Sequence, residues 1–184
     1  MKSGLFDLQR KSHMELGEIY FWTATIHQWI HLLKPDEMKD LIMGSLEHLS
    51  NAGKIEVFAF VIMPNHIHLI WRWIAMNGKE MPHVSFLKFT AHHFKKHLEK
   101  TNGLAPFYLD AANKEFVFWQ RDSLAVRLYS KRVAYQKLNY IHNNPLSERW
   151  NLCTRPENYV YSSAGFYEAG RERFGFLKDI RTEF

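Results

Sequence analysis

The stretch 54–74 constrains this chain more than any other. KIEVFAFVIMP and HIHLIWRWI are two runs dense in β-branched and aromatic residues, and Pro64-Asn65 between them is a turn signal. The two runs read as neighbouring strands joined as a hairpin. On a strand, residues i and i+2 share a face, so His66 and His68 project together while Ile67 points the other way. Two imidazoles on one face can hold one divalent metal. In a chain with 11 histidines such a pair also arises by chance, but histidines set between two hydrophobic strands need partners or a function.

The other segments arrange themselves around that hairpin. Residues 19–30, IYFWTATIHQWI, read as a strand. Pro35 opens a helix over 35–51, with Asp36 and Glu37 in its first turn and Met38, Leu41, Ile42, Leu46 and Leu49 at helical spacing. Asn51-Ala52-Gly53 ends it. A second helix is expected over 84–100, with Leu87, Phe94 and Leu98 on one stripe and Lys88, His92, Lys95 and Lys96 outside it. Residues 101–115, with Gly103 and Pro106, read as a loop, and 116–129 as one short strand or two. A last helix over 130–144 is stopped by Pro145. The order strand, helix, strand, strand, helix, strand predicts an α+β ferredoxin-like sandwich, an antiparallel sheet with helices packed on it. No repeat or charge block marks a boundary, so one domain over 1–184 is expected, with 165–184 as a C-terminal tail of unassigned role.

Composition narrows the function classes. Hydrophobic residues at 46% against 23% charged exclude a disordered or collagen-like chain. The longest apolar run, Val57 to Met63, is far short of the roughly 20 residues a membrane span needs. The opening MKSGLFDLQRKSH lacks the apolar core of a secretory signal, so a cytoplasmic location is expected. A lone cysteine, Cys153, excludes an intrachain disulfide and a cysteine-based zinc cluster. The net charge of +5 permits a nucleic-acid partner without demanding one. Aromatics at 15% serve as core, or as platforms for unpaired bases.

The helix KRVAYQKLNYIHNNP carries the second candidate. At about 100° per residue, Ala134, Leu138 and Ile141 form a packing stripe. Lys137, Tyr140 and Asn144 share one flank, and Tyr135, Asn139 and His142 the other. Read alone, this is a tyrosine at a core edge and an asparagine finishing a helix. Read with the histidine pair, it is a reaction centre. A tyrosine hydroxyl, with an ordinary pKa of about 10, is a poor nucleophile in water. Beside a divalent metal and a cation it can attack a phosphodiester, because the metal polarises the phosphate and offsets the developing charge. Asn144, one helical turn from Tyr140, can supply the third ligand, with His142 as a competitor that helical geometry turns away.

VIMPNHIHLIW at 61–71, FWQRD at 118–122 and KLNYIHNNP at 137–145 resemble the REP-associated tyrosine transposases, single-tyrosine members of the nucleases named for a His-hydrophobic-His motif. YFWTATIHQWIHLL at 20–33 and ENYVYSSAGFY at 157–167 are weaker echoes in the expected order. The resemblance implies an enzyme that cuts and rejoins single-stranded DNA at hairpins through a 5′-phosphotyrosine. Tyr140 then matches the nucleophile, and His66 and His68 the motif histidines, with Asn144 completing a Mg²⁺ or Mn²⁺ site. It also implies either a monomer or a homodimer that exchanges the tyrosine helix. The chain departs from the pattern at Ser123-Leu124-Ala125, where many relatives have a histidine, and at Leu146, where valine is usual. Arg121, Arg127, Lys131, Arg132 and Lys137 are candidate DNA contacts. Two alternatives stay open: a metal-dependent nickase that uses water, and a DNA-hairpin binding protein that lost the reaction.

Overall fold

The structure, a computed structural model, describes residues 14–111, 114–121 and 123–184. The expectation for 1–13 and the Asp122 of FWQRD fall outside them.

Among the described residues, six strands and four helices follow in the order β1 (Ile19–Thr25), α1 (Asp36–Asn51), β2 (Ile55–Ile62), β3 (His66–Trp73), α2 (Pro82–Thr101), β4 (Tyr108–Ala111), β5 (Lys114–Phe116), β6 (Leu124–Arg127), α3 (Lys131–Asn143) and α4 (Ala164–Ala169). The main sheet has the order β2-β3-β1-β6, and every pairing in it is antiparallel. With β4–β5 set aside as a separate hairpin, this is the ferredoxin-like α+β arrangement expected, with α3 added after it.

Side-chain alternation builds a core on each face. Trp22, Ile67, Leu69, Trp71 and Trp73 point to one side, where Met38, Ile42 and Leu46 of α1 and Phe86 and Phe94 of α2 meet them. Ile19, Phe21, Val61 and Ile70 point to the other, under Ala134, Leu138 and Ile141 of α3. That is the stripe foreseen for this helix. A register shift between Val57 and Ala59 puts the neighbours Phe58 and Ala59 into one core, the one beneath α3. Ser130 caps α3, its Oγ accepting from the Val133 amide.

Two expectations are corrected. The strand read over 19–30 stops at Thr25, because the chain turns off the sheet: the Ile26 amide donates to the Asn65 carbonyl and the His27 amide to the Phe118 carbonyl. Residues 101–115 hold the last residue of α2, a 3-10 turn at Ala105–Phe107 and the β4–β5 hairpin, where Gly103 and Pro106 had suggested only a loop. Within 116–129, read as one short strand or two, Leu124–Arg127 joins the main sheet and Trp119 bridges to Ile26 beyond the end of β1.

The C-terminal segment covers the β2 edge, which would otherwise present unpaired backbone groups. The Ile62 amide donates to the Tyr161 carbonyl at 2.9 Å, and the Tyr159 and Tyr167 hydroxyls donate to the Ile62 and Phe58 carbonyls at 2.7 and 2.8 Å. Further on, Leu177 bridges Val57 in parallel, Ile180 is fully buried and Glu183 pairs with Arg72 at 2.8 Å. No helix among the described residues is long and apolar enough to cross a membrane.

Candidate active site

His66 and His68 leave β3 on the α3 side of the sheet, with rings 4.7 Å apart and nearly perpendicular, while Ile67 enters the opposite core. Each imidazole has its Nδ1 engaged. Asn65 is fully buried, and its Nδ2 donates to the Trp29 carbonyl at 3.0 Å. That bond turns the amide oxygen toward His66 Nδ1, 2.7 Å away. An amide oxygen only accepts, so Nδ1 is the protonated nitrogen and Nε2 carries the lone pair. On the adjacent strand Thr23 lies directly opposite His68, with Oγ1 2.7 Å from Nδ1. His68 Nε2 is buried and has no hydrogen-bond partner among the described residues. Leaving such a nitrogen unpaired costs about 1–3 kcal/mol, which calls for an occupant.

Burial also keeps both rings uncharged. It pulls the His66 pKa down to about 4, with Arg149 adding to the effect. His68 falls to about 3 through burial first, then through His66 and Lys137. Neutral imidazoles are the form a metal requires. Two imidazoles on one face, each oriented through its Nδ1, present their Nε2 atoms in a way that fits a divalent cation when Thr23 accepts from His68. Among the described residues no three His, Cys, Asp or Glu side chains converge, so a third protein ligand would have to be another donor, and Asn144 lines the same cleft. A closed four-ligand zinc site is a poorer match.

These shifts set an expectation for stability in acid. The folded-state pKa values lie below the unfolded value of about 6.5, so below that pH the unfolded chain binds protons the folded chain refuses. The contribution is intact above pH 6.5 and declines as pH falls toward 4 and 3. His142, buried and likewise lowered to about 4, acts in the same direction. Urea unfolding with EDTA present is expected to give a midpoint that drops steadily from pH 6.5 to 4, and His66→Asn should flatten the slope. A midpoint independent of pH across that interval would contradict the assignment of buried neutral rings.

The tyrosine arrives from α3. Tyr140 is half exposed, its ring 5.2 Å from that of His68 and 5.9 Å from that of Phe21. Lys137, one turn earlier, places its ammonium 4.7 Å from the Phe21 ring and 5.9 Å from the Tyr140 ring. A cleft of about 520 Å³ takes in Thr23, His66, His68, Tyr140, Asn144 and Arg149. His142 goes the other way, its Nε2 2.9 Å from Ser163 Oγ, as helical geometry required.

The candidate DNA contacts scatter. Only Lys137 stands beside the histidines. Arg127 is paired with Glu18 at 2.6 Å, Lys131 lies over the Tyr135 ring, Arg132 is exposed, and Arg121 lines a separate depression along α2 with Lys88. Trp119 belongs to the core, its indole donating to Thr90 Oγ1 at 3.0 Å. Sequence reasoning did not single out Thr23, Asn65, Trp29, Arg149 or Trp150. For Asn65 a signal existed: it sits in the turn immediately before the histidines.

No family model matches the chain, and no curated protein matches its sequence. Among solved structures, the chain shares its fold with a REP-associated tyrosine transposase determined with a REP hairpin bound. That match has a TM-score of 0.60 and 15% identity, and covers 91% of this chain and 90% of the other. A second structure, a candidate transposase from Deinococcus radiodurans, aligns over 78% of this chain and 97% of its own at 19% identity, but its TM-score of 0.40 carries no argument.

Proposed function

We propose that the chain is a DNA strand transferase of the REP-associated tyrosine transposase kind, acting on single-stranded DNA at hairpins with Tyr140 as nucleophile and a bound Mg²⁺ or Mn²⁺. The observation that carries this reading is the meeting of Tyr140, His66, His68 and Asn144 in one cleft, from a strand and a helix far apart in sequence. The shared fold supports it, since the similar protein was solved on a hairpin.

His66, His68 and Asn144 would hold the cation, which supplies Lewis-acid polarisation of the scissile phosphate. The chain's own groups do the rest. Tyr140 Oη forms the bond to phosphorus, the bond from phosphorus to the 3′ oxygen breaks, the phenolic proton leaves to water, and the departing oxygen takes one up. The half-exposed position of Tyr140 leaves room for a phosphodiester to approach. Lys137 contributes positive charge on the tyrosine side, where charge builds on the phosphate oxygens. In reverse, a 3′-hydroxyl attacks the phosphotyrosine and reseals a strand without an external energy source.

The test uses labelled stem-loop oligonucleotides with Mn²⁺ or Mg²⁺, resolved on denaturing gels. A covalent protein–DNA band is expected in wild type and none in Tyr140→Phe. Cleavage without a band in both proteins would favour a water-using nickase. Hairpin binding with no cleavage in either would leave a DNA-hairpin binding protein.

A further inference from the structure

The cleft continues past the histidines into a feature the transesterification does not use. Tyr140 lies on the His68 side of the imidazole pair, and two indoles lie on the His66 side. The Trp150 ring is 5.9 Å from that of His66 and 5.5 Å from that of His31, with the Arg149 guanidinium 5.1 Å above it. The Trp29 ring is 6.5 Å from that of His66, and its side chain is 52% exposed. His66 is the only ring packed against it among the described residues.

Trp29 is presented at a cost. Gln28 and Trp29 have φ of +51° and +59°, a left-handed pair of non-glycine residues where bulky side chains are rare. Such conformations persist only where the surroundings impose them, and they collect at ligand sites. Here the imposing contact is the buried Asn65, which holds the Trp29 carbonyl with the same amide group that orients His66. One side chain thus fixes both the catalytic imidazole and the exposed indole. A large aromatic held open beside a cationic guanidinium, in a cleft built for a phosphodiester, matches the general recipe for binding unpaired nucleotides: a flat apolar surface for the base and positive charge for the backbone.

We propose that Trp29 stacks the unpaired base of the nucleotide flanking the phosphate that Tyr140 attacks, with Trp150 as the opposite wall of the seat and Arg149 meeting the adjoining backbone phosphate. This rests on the reading of the cleft as a single-strand DNA site. The stacking is tolerant of base identity, because every base offers a flat face. It positions the strand along the line from indole to imidazoles to tyrosine.

The measurement is affinity by fluorescence anisotropy, in a Tyr140→Phe background so that no strand is cut. The probes are stem-loop oligonucleotides with dT tails, and the same oligonucleotides with one abasic nucleotide walked along the tail. The parent should lose affinity at a single tail position when that base is missing. Trp29→Ala should bind the intact tail about tenfold more weakly and no longer respond to the abasic position. Trp29→Phe should keep most of both effects, and Trp150→Ala should show a smaller loss. Unchanged affinity in Trp29→Ala, or an equal loss on intact and abasic tails, overturns the proposal. A Trp29-dependent abasic response in a protein whose wild type forms no covalent adduct would uphold the seat and sink the tyrosine mechanism. An adduct with no such response would do the reverse, and no binding to any single-stranded tail would overturn both.

Discussion

His68→Ala is expected to lower strand cleavage by at least about a thousandfold while leaving most of the hairpin affinity in place. The loss follows from removing one of two imidazole donors, since a metal's stabilisation of the transition state amounts to several kcal/mol and each 1.36 kcal/mol is a factor of ten. Binding survives because it depends on phosphate contacts made by cations outside the histidine pair. The fold survives too. The variant gives up the Thr23 hydrogen bond and the stacking of His68 on Phe21 at 5.3 Å, but it also removes a buried nitrogen that has no partner among the described residues. Those effects oppose each other, so the stability change should stay within about 2 kcal/mol. His66→Ala should behave alike. Isothermal titration with Mn²⁺ separates the explanations: wild type is expected to give a metal isotherm and both variants to lose it. Cleavage at wild-type rates in either variant would remove the histidines from the reaction.

Trp71→Ala is expected to cost about 3–5 kcal/mol, a large share of the 5–15 kcal/mol that holds a domain of this kind together. Trp71 is fully buried at the centre of the β3 stripe, its ring 4.9 Å from that of Trp22, 5.9 Å from Trp73 and 6.3 Å from Phe86. Truncation leaves a cavity where sheet, α1 and α2 meet. Trp71→Phe should cost much less, because its indole N–H has no partner among the described residues and removing it relieves an unsatisfied donor. Urea unfolding reads both changes, with Trp29→Ala as a comparison that should move stability by no more than about 0.5 kcal/mol, being exposed at the cleft rim. Similar midpoints for Trp71→Ala and Trp29→Ala would mean that the aromatic stack is not the core that this packing describes.

The parts of this molecule legible in the sequence are those with a period. The α1 and α3 stripes, the strands around Pro64-Asn65 and the shared face of His66 and His68 all follow from repeats of 3.6 or 2. Tyr140 and Asn144 reach the cleft for the same reason, being four residues apart on one helix. What was not legible depends on contacts between distant segments. Thr23 reads as an ordinary strand residue until β1 pairs with β3 and sets it opposite His68. Trp29 falls inside an apolar run that periodicity extends straight on, and the hydrogen bonds with Asn65 and Phe118 turn the chain out of the sheet there. Arg149 and Trp150 follow Pro145 in a stretch without regular pattern. Outside the short α4, the segment from Tyr159 to Glu183 offers little periodicity because it runs along the β2 edge, where the Tyr159 and Tyr167 hydroxyls satisfy carbonyls.

The Pro64-Asn65 connection has a meaning beyond its geometry. With helices over both faces of the sheet, β3 sends odd-numbered Ile67, Leu69, Trp71 and Trp73 into one core and keeps even-numbered His66 and His68 for the cleft. Chemistry and packing are therefore written on the same strand as opposite parities. A slip of one residue in this turn exchanges the two messages, burying imidazoles among tryptophans and setting isoleucine and leucine in the cleft. One residue inserted or deleted between Met63 and His66 would therefore disturb the core and the cleft together.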